Sequence, residues 1–204
     1  MQLCAGRIGQ LLNISDLAVN CGISKQTEQR WLSVLHASYI TFLLMPYHNN
    51  FNKRLTRTPK LYFYDTGLAC ALLKIKTAQD LAMSPFKGPL FECLMISDII
   101  KQYNNLGEDA PVYFWRDMNG RIEVDCLIHE GPRIVAVEMK SGETGVTEYF
   151  DGLLRWNDVA ETETASNYVI YGGIHDQQRK NGHLVSWRSS GDLVKKIVSA
   201  RLSK

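Results

Sequence analysis

"EVDCLIHEGPRIVAVEMKSG", residues 123 to 142, decides how this chain is read. Two apolar runs flank Gly131-Pro132, a dipeptide that marks a turn, so the stretch predicts two adjacent antiparallel strands. Acids interrupt both runs. The second run, apolar from Ile134 to Val137, ends in Glu138-Met139-Lys140. Side chains alternate faces along a strand. Arg121, Glu123 and Asp125 are therefore expected on one face of the first strand, with Ile122, Val124 and Cys126 on the other. On the second strand, Glu138 and Lys140 share a face with Ile134 and Ala136. Asp125 and Glu138 stand at the ends of neighbouring strands, where they can converge.

Converging carboxylates suit a hard cation such as Mg²⁺, which takes oxygen ligands and keeps several waters. A metal held this way lowers the pKa of bound water and stabilises charge on a phosphoryl oxygen. A lysine beside it can orient the water or neutralise developing charge. A (D/E)xK triplet alone more often describes a strand turning polar where it leaves the core. Two further acids strengthen the functional reading: Asp125 on the neighbouring strand, and Glu92 in the apolar helix "GPLFECLMI". An unpaired buried carboxylate is costly, so Glu92 is expected either at a site or in a salt bridge.

Outward from this hairpin, a helix is expected from about Pro89 to Tyr103 and a further strand near 112–115. After it come a helix near 147–158, the strands "NYVIYGG" and "HLVSWRS", and a last helix "GDLVKKIVSARL". Helix, three-strand meander, helix and strand make a mixed α/β plan. The aromatics Tyr113, Phe114 and Trp115 read as core, and His129 and His175 as solvated loop residues.

The first part of the chain has a different pattern. Residues 1–12 read as a helix with Leu3, Ile8, Leu11 and Leu12 apolar. In "NISDLAVNCG", Ser15 is the expected N-cap and Gly22 the stop. Ser24 caps "KQTEQRWLSVLHAS", with Trp31, Val34 and Leu35 on one apolar face. Helix, glycine turn and longer helix form a helix-turn-helix pattern. The strands "YITFLLMPY" and "KLYFYD", joined by the basic loop "HNNFNKRLTRTP", would add a wing. "TGLACALLK" reads as a closing helix and "TAQDLAMSPFKG" as the connection. The division expected is a winged helix-turn-helix domain, 1–84, and an α/β domain, 85–204.

Charge follows this division. Residues 1–84 hold nine Lys/Arg and four Asp/Glu, a net of +5, whereas residues 85–204 are net −3. A basic first module suggests contact with a polyanion such as DNA. The start of a second helix-turn-helix helix is where bases are met. That points to Lys25, Gln26, Thr27, Gln29 and Arg30, with Lys53, Arg54, Arg57 and Lys60 on the wing to neutralise phosphates. Arg116 could hold a phosphate or pair with Asp117 or Glu123. Winged helices also serve as protein-interaction modules, and that alternative stays open.

The five cysteines, Cys4, Cys21, Cys70, Cys93 and Cys126, are scattered and form no CxxC pair. This excludes a zinc ribbon and a disulfide framework and fits a reducing, cytoplasmic setting. No run reaches membrane-spanning length, and no signal-peptide stretch opens the chain. No GxSxG occurs, so covalent hydrolysis has little support.

Gly88…Phe91-Glu92, Tyr113-Phe114-Trp115-Arg116-Asp117, Glu123-Val124-Asp125 and Glu138-Met139-Lys140-Ser141-Gly142 together resemble the PD-(D/E)XK, or restriction endonuclease-like, nuclease fold. The pattern is closest to the branch resembling archaeal Holliday junction resolvases. What that resemblance implies is a metal-dependent phosphodiesterase centre on Glu92, Asp125, Glu138 and Lys140. Mg²⁺ or Mn²⁺ would sit on Asp125 and Glu138, with Glu92 as a third ligand or acting through water. Folds of this kind often act as dimers on symmetric substrates, so a homodimer is a further expectation.

With the first part included, the whole chain resembles the C-terminal region of uncharacterised prokaryotic AAA-type ATPases. In these, an ATPase domain precedes a winged helix and a nuclease-like domain. The resemblance departs in one respect. No GxxxxGK[ST] occurs, so no ATP site is expected, and the chain reads as a C-terminal fragment or a homologue lacking that domain. Two functions follow: a metal-dependent nuclease, or a non-catalytic DNA- or protein-binding module serving an ATPase.

Overall fold

A computed structural model describes residues 1–47, 57–117, 119–162 and 166–202. The chain is mixed α/β and forms two compact units: Met1–Met45 with Arg57–Ser97, and Pro46–Thr56 with Asp98–Lys204. No described helix is long and apolar enough to cross a membrane.

The first unit opens with α1, Gln2–Ala5. The expected helix over 1–12 stops there because the following backbone serves the sheet instead. Gly9 N–H donates to Leu61 O, Leu61 N–H to Gln10 O and Leu12 N–H to Pro59 O. Gly9 has φ +74°, a conformation that costs other residues more than glycine.

Helix α2, Ile14–Cys21, is capped by Asn13, whose side chain accepts from Asp16 N–H; Ser15, the expected cap, lies inside it. Gly22 ends α2 with φ +66°. Ser24 then caps α3, Lys25–Ala37, by accepting from Thr27 N–H. Strands β1, Thr41–Leu44, and β2, Lys60–Phe63, pair antiparallel, and Leu11 bridges to Lys60. Asp65 caps α4, Thr66–Leu72. The expected connection contains a helix of its own, α5, Ala78–Met83. A reciprocal cap holds it: Thr77 accepts from Asp80 N–H, and the Asp80 carboxylate accepts from Thr77 N–H.

The apolar face expected on α3 is turned differently. Glu28 and Leu32 are the buried positions, while Trp31 is 54% and Val34 62% exposed. On the helical wheel, Glu28 and Leu32 fix the inward direction, and this leaves Gln26, Arg30 and Ser33 on the outward side.

Helix α6, Lys87–Asn105, begins in the first unit, and its residues from Asp98 onward belong to the second. The second unit is a six-stranded mixed sheet. Its strands are β3, Val112–Arg116; β4, Glu123–Glu130; β5, Arg133–Lys140; β6, Asn167–Tyr171; β7, Gln177–Arg179; and β8, Gly182–Ser186. The order is β3-β4-β5-β6-β8-β7. Strands β3, β4 and β5 form the antiparallel meander, with Gly131 at φ +58° in the β4–β5 turn. Helix α7, Asp151–Ala160, carries the chain over so that β6 runs parallel to β5, and β8 runs parallel to β6. The hairpin strand β7 is a polar edge strand, and Gln177-Gln178-Arg179 has no apolar alternation to mark it in sequence.

Helix α7 covers one sheet face with a core of Trp115, Val124, Leu127, Ala136, Phe150 and Trp156 among others. Phe114 and Trp115 are fully buried, as expected of core aromatics. Helix α8, Ser190–Leu202, lies over the other face, where Tyr168, His183 and Val185 line a groove with Leu193 and Lys196. With both faces covered, β5 can be buried from Val135 to Met139, which explains its unbroken apolar run.

Candidate functional site

The candidate site lies where β4 and β5 part. Their ladder runs from Glu130↔Arg133 to Cys126↔Val137 and stops there. On the other side of β4, Tyr113 pairs with Leu127 but Trp115 pairs with Val124. Asp125 and Cys126 therefore stand against Phe114 alone, which is a β-bulge. The bulge corrects the strict alternation expected for β4. Val124 and Leu127, three positions apart, join the same core cluster under α7.

The bulge releases Asp125 from ladder pairing. Its Oδ2 accepts the Met139 backbone N–H at 2.8 Å, replacing a bond that a continuing β4 backbone would make. Glu138 follows the face of Ala136 and Val169 under α7 and is 8% exposed. Its Oε1 accepts from Lys140 Nζ at 2.6 Å. Gly152, at the start of α7, lies against Glu138. A Cβ there would lie 3.9 Å from Glu138 Oε2 and 3.3 Å from Glu123 O. Lys140 is half-exposed, so its ammonium faces both Glu138 and solvent.

Arg116 and Glu123 are cross-strand partners and form an ion pair at 3.3 Å. Of the two acids weighed as partners for Arg116, Glu123 is the one it pairs with. Asp117 instead accepts from Arg121 N–H and Ile122 N–H, closing the β3–β4 turn.

Asp125 and the Glu138–Lys140 pair thus stand on neighbouring strands of the second unit, with Asp125 bonded to the backbone amide of Met139, the residue between Glu138 and Lys140 in sequence. Glu92 belongs to the first unit, where its Oε1 accepts from Lys60 Nζ at 3.0 Å and from Tyr62 Oη at 2.5 Å. This corrects the expectation for Lys60, which is 3% exposed and not a wing cation facing solvent. A buried ammonium requires an anionic partner, and Glu92 supplies it. Tyr62, the other donor, carried no sequence signal beyond its place in a strand. Among the described residues no three His, Cys, Asp or Glu side chains gather as metal ligands would.

Of the expected nucleic-acid contacts, Lys25, Gln26 and Arg30 are exposed at the start of α3, as is Arg57. Thr27 is half-buried, with its hydroxyl 2.9 Å from Ser24 Oγ. Lys53 and Arg54 lie outside the described residues.

These features define a mixed α/β chain in which a two-helix turn unit precedes a sheet bearing a carboxylate–lysine cluster. The chain belongs to the family described as Domain of unknown function (DUF4143), which matches residues 87–189. Residues 1–79 match a second family, Domain of unknown function (DUF8612). An uncharacterised protein of Mycobacterium tuberculosis and one of Mycobacterium bovis are each 30% identical over 136 residues, 67% of this chain. The match spans only 30% of the length of those relatives. No solved structure matches.

Proposed function

We propose that the chain is a metal-dependent phosphodiester-cleaving module of the PD-(D/E)XK nuclease-like kind, acting on DNA. The observation that supports this reading is the bond from the Met139 amide to Asp125, flanked in sequence by the paired Glu138 and Lys140, where β4 and β5 separate. The donor set fits Mg²⁺ or Mn²⁺, because such ions are commonly bound by one or two carboxylates, with waters and substrate phosphate completing the shell. Asp125 and Glu138 would hold the ion, and bound there it would supply an activated water and charge stabilisation at a phosphoryl oxygen. The Met139 amide fixes the Asp125 carboxylate in place. Lys140, steered by Glu138, offers its ammonium to the attacking water or to a phosphate oxygen. The winged arrangement of α2, α3, β1 and β2 would deliver the duplex through Gln26, Arg30 and Arg57.

A test is cleavage of branched, duplex and single-stranded DNA with Mg²⁺ or Mn²⁺ by the wild type and by Glu138→Gln. The expected result is metal-dependent cleavage that falls at least ~100-fold in the variant, the scale on which a charge-stabilising group acts. Absence of cleavage on all substrates, with Mn²⁺ affinity unchanged by Glu138→Gln, overturns the reading.

A second reading has its own support. Domains of this family are often found with AAA-type ATPases, and the chain spans 30% of its relatives' length. The module would then bind DNA or protein for an ATPase domain, with the carboxylate cluster as scaffold. DNA binding unaffected by Lys140→Ala, without cleavage, is its expected signature.

A further inference from the structure

One more polar group stands at this sheet end. Tyr149 lies in the 3₁₀ turn Thr147–Phe150 that leads into α7 and packs on β5 and β6. Its ring is half-buried against the core cluster that holds Phe150, Trp156 and Tyr171. Tyr171 is the parallel-ladder partner of Lys140, so the ring and the Glu138–Lys140 pair occupy the same sheet face. The hydroxyl emerges at Gly142, just beyond Lys140, and a Cβ on residue 142 would collide with the Tyr149 oxygen. Among the described residues this phenol has no hydrogen-bond partner.

A phenol fixed by its ring loses little entropy when its O–H finds an acceptor. Its directionality complements a lysine, which acts as a point charge on a flexible stem. Resting on the phosphodiester reading above, we propose that Tyr149 is a substrate contact. Its O–H donates to a non-bridging oxygen of the phosphodiester held beside Lys140.

The test uses dimethyl phosphate as probe, followed by ³¹P line broadening with Mn²⁺ on the intact chain. Wild type, Tyr149→Phe, Lys140→Ala and Glu138→Gln are compared, with Mn²⁺ affinity and the thermal midpoint measured separately. Tyr149→Phe is expected to weaken probe binding about tenfold, the scale of one hydrogen bond to a charged group. Its Mn²⁺ affinity and midpoint should match the wild type. Wild-type probe affinity in Tyr149→Phe, with loss in Lys140→Ala and Glu138→Gln, overturns the Tyr149 contact and leaves the centre standing. If the wild type does not take up the probe, or if none of the three substitutions changes its binding, both ideas fail together.

Discussion

The carboxylate of Asp125 accepts the Met139 backbone amide at 2.8 Å, so an acid on one strand takes a ladder position on its neighbour. The bond couples structure to chemistry, because the group that would hold a cation also closes the sheet. Asp125→Ala leaves a buried N–H without that acceptor, at a cost of about 1–3 kcal/mol. Asp125→Asn keeps an acceptor oxygen but removes the charge. The alanine variant is therefore expected to lose both stability and Mn²⁺ affinity, and the asparagine variant chiefly affinity. Chemical unfolding and calorimetric Mn²⁺ titration check this. Equal stability in all three proteins would show that the amide does not depend on Asp125.

The Lys60–Glu92 pair gives a second expectation. The two side chains are 4% and 15% exposed. Removing one partner of a buried ion pair commonly costs about 3–5 kcal/mol, whereas replacing both by apolar groups is often near neutral. Lys60→Met alone should strongly destabilise the first unit, and the Lys60→Met, Glu92→Leu pair should recover most of the loss. A double-mutant cycle from denaturant unfolding measures the coupling. Additive losses would show that the pair is not an energetic unit.

Those two clusters also show how far the sequence could be read. The β4–β5 hairpin was legible because Gly131-Pro132 marks the turn and β5 is apolar from Ile134 to Val137. The bulge was not legible, since Val124, Cys126, Leu127 and Ile128 are all apolar and an extra residue leaves no gap in the pattern. Lys60 read as a solvent-facing cation because its neutralising partner lies on a helix remote in sequence. Glu92 stood out as an acid in an apolar run, but sequence could not separate a ligand from a salt bridge. Trp31, Val34 and Leu35 mark an apolar face of α3 in sequence, whereas Glu28, the polar residue that turns inward, carries no local mark. Thr77-x-x-Asp80 carries the cap of α5, but none of that helix is buried, so no apolar pattern marks it off from a linker.

Acid should weaken the second unit through His183. Its imidazole stacks on Tyr168 at 4.6 Å in a groove that also holds Lys196 and Asp192 of α8, and Asp176. Burial holds its pKa below the ordinary value of 6.5, and the Lys196 ammonium adds to the depression. Folding therefore favours the neutral ring. Its contribution is complete above the unfolded pKa and is lost as pH falls from 6.5 through the depressed folded value. His183→Gln should flatten the fall in unfolding free energy between pH 7 and pH 5, and Lys196→Gln should raise the His183 titration midpoint observed by NMR. An unchanged midpoint in Lys196→Gln would remove the lysine from the account.

Asp80 offers the opposite ionisation with the same direction in pH. The Thr77 hydroxyl and the Lys76 and Thr77 amides hold its carboxyl below the usual range. The cap of α5 is therefore complete above the ordinary carboxylate pKa and is lost as pH drops through the depressed one. Thr77→Ala should move the Asp80 carboxyl midpoint upward in a ¹³C NMR titration. No movement would mean that the reciprocal cap does not persist in solution.

The outward face of α3 sets the last expectation, which separates DNA recognition from protein docking. Arg30 is exposed with Gln26 one turn before it, and the buried Glu28 and Leu32 fix this direction. If this face meets a duplex, Arg30→Ala should weaken binding and lower the slope of log K against log salt by about one. Lys60→Gln should leave that slope unchanged once its loss of stability is allowed for, because its ammonium is turned to Glu92. A protein partner on the same face would instead be lost through Trp31→Ala and Val34→Ala, with little dependence on salt. Fluorescence anisotropy of a labelled duplex across a salt series reads these cases apart. A slope that ignores Arg30 would take α3 out of DNA binding and leave its exposed Trp31 and Val34 as the surface to explain.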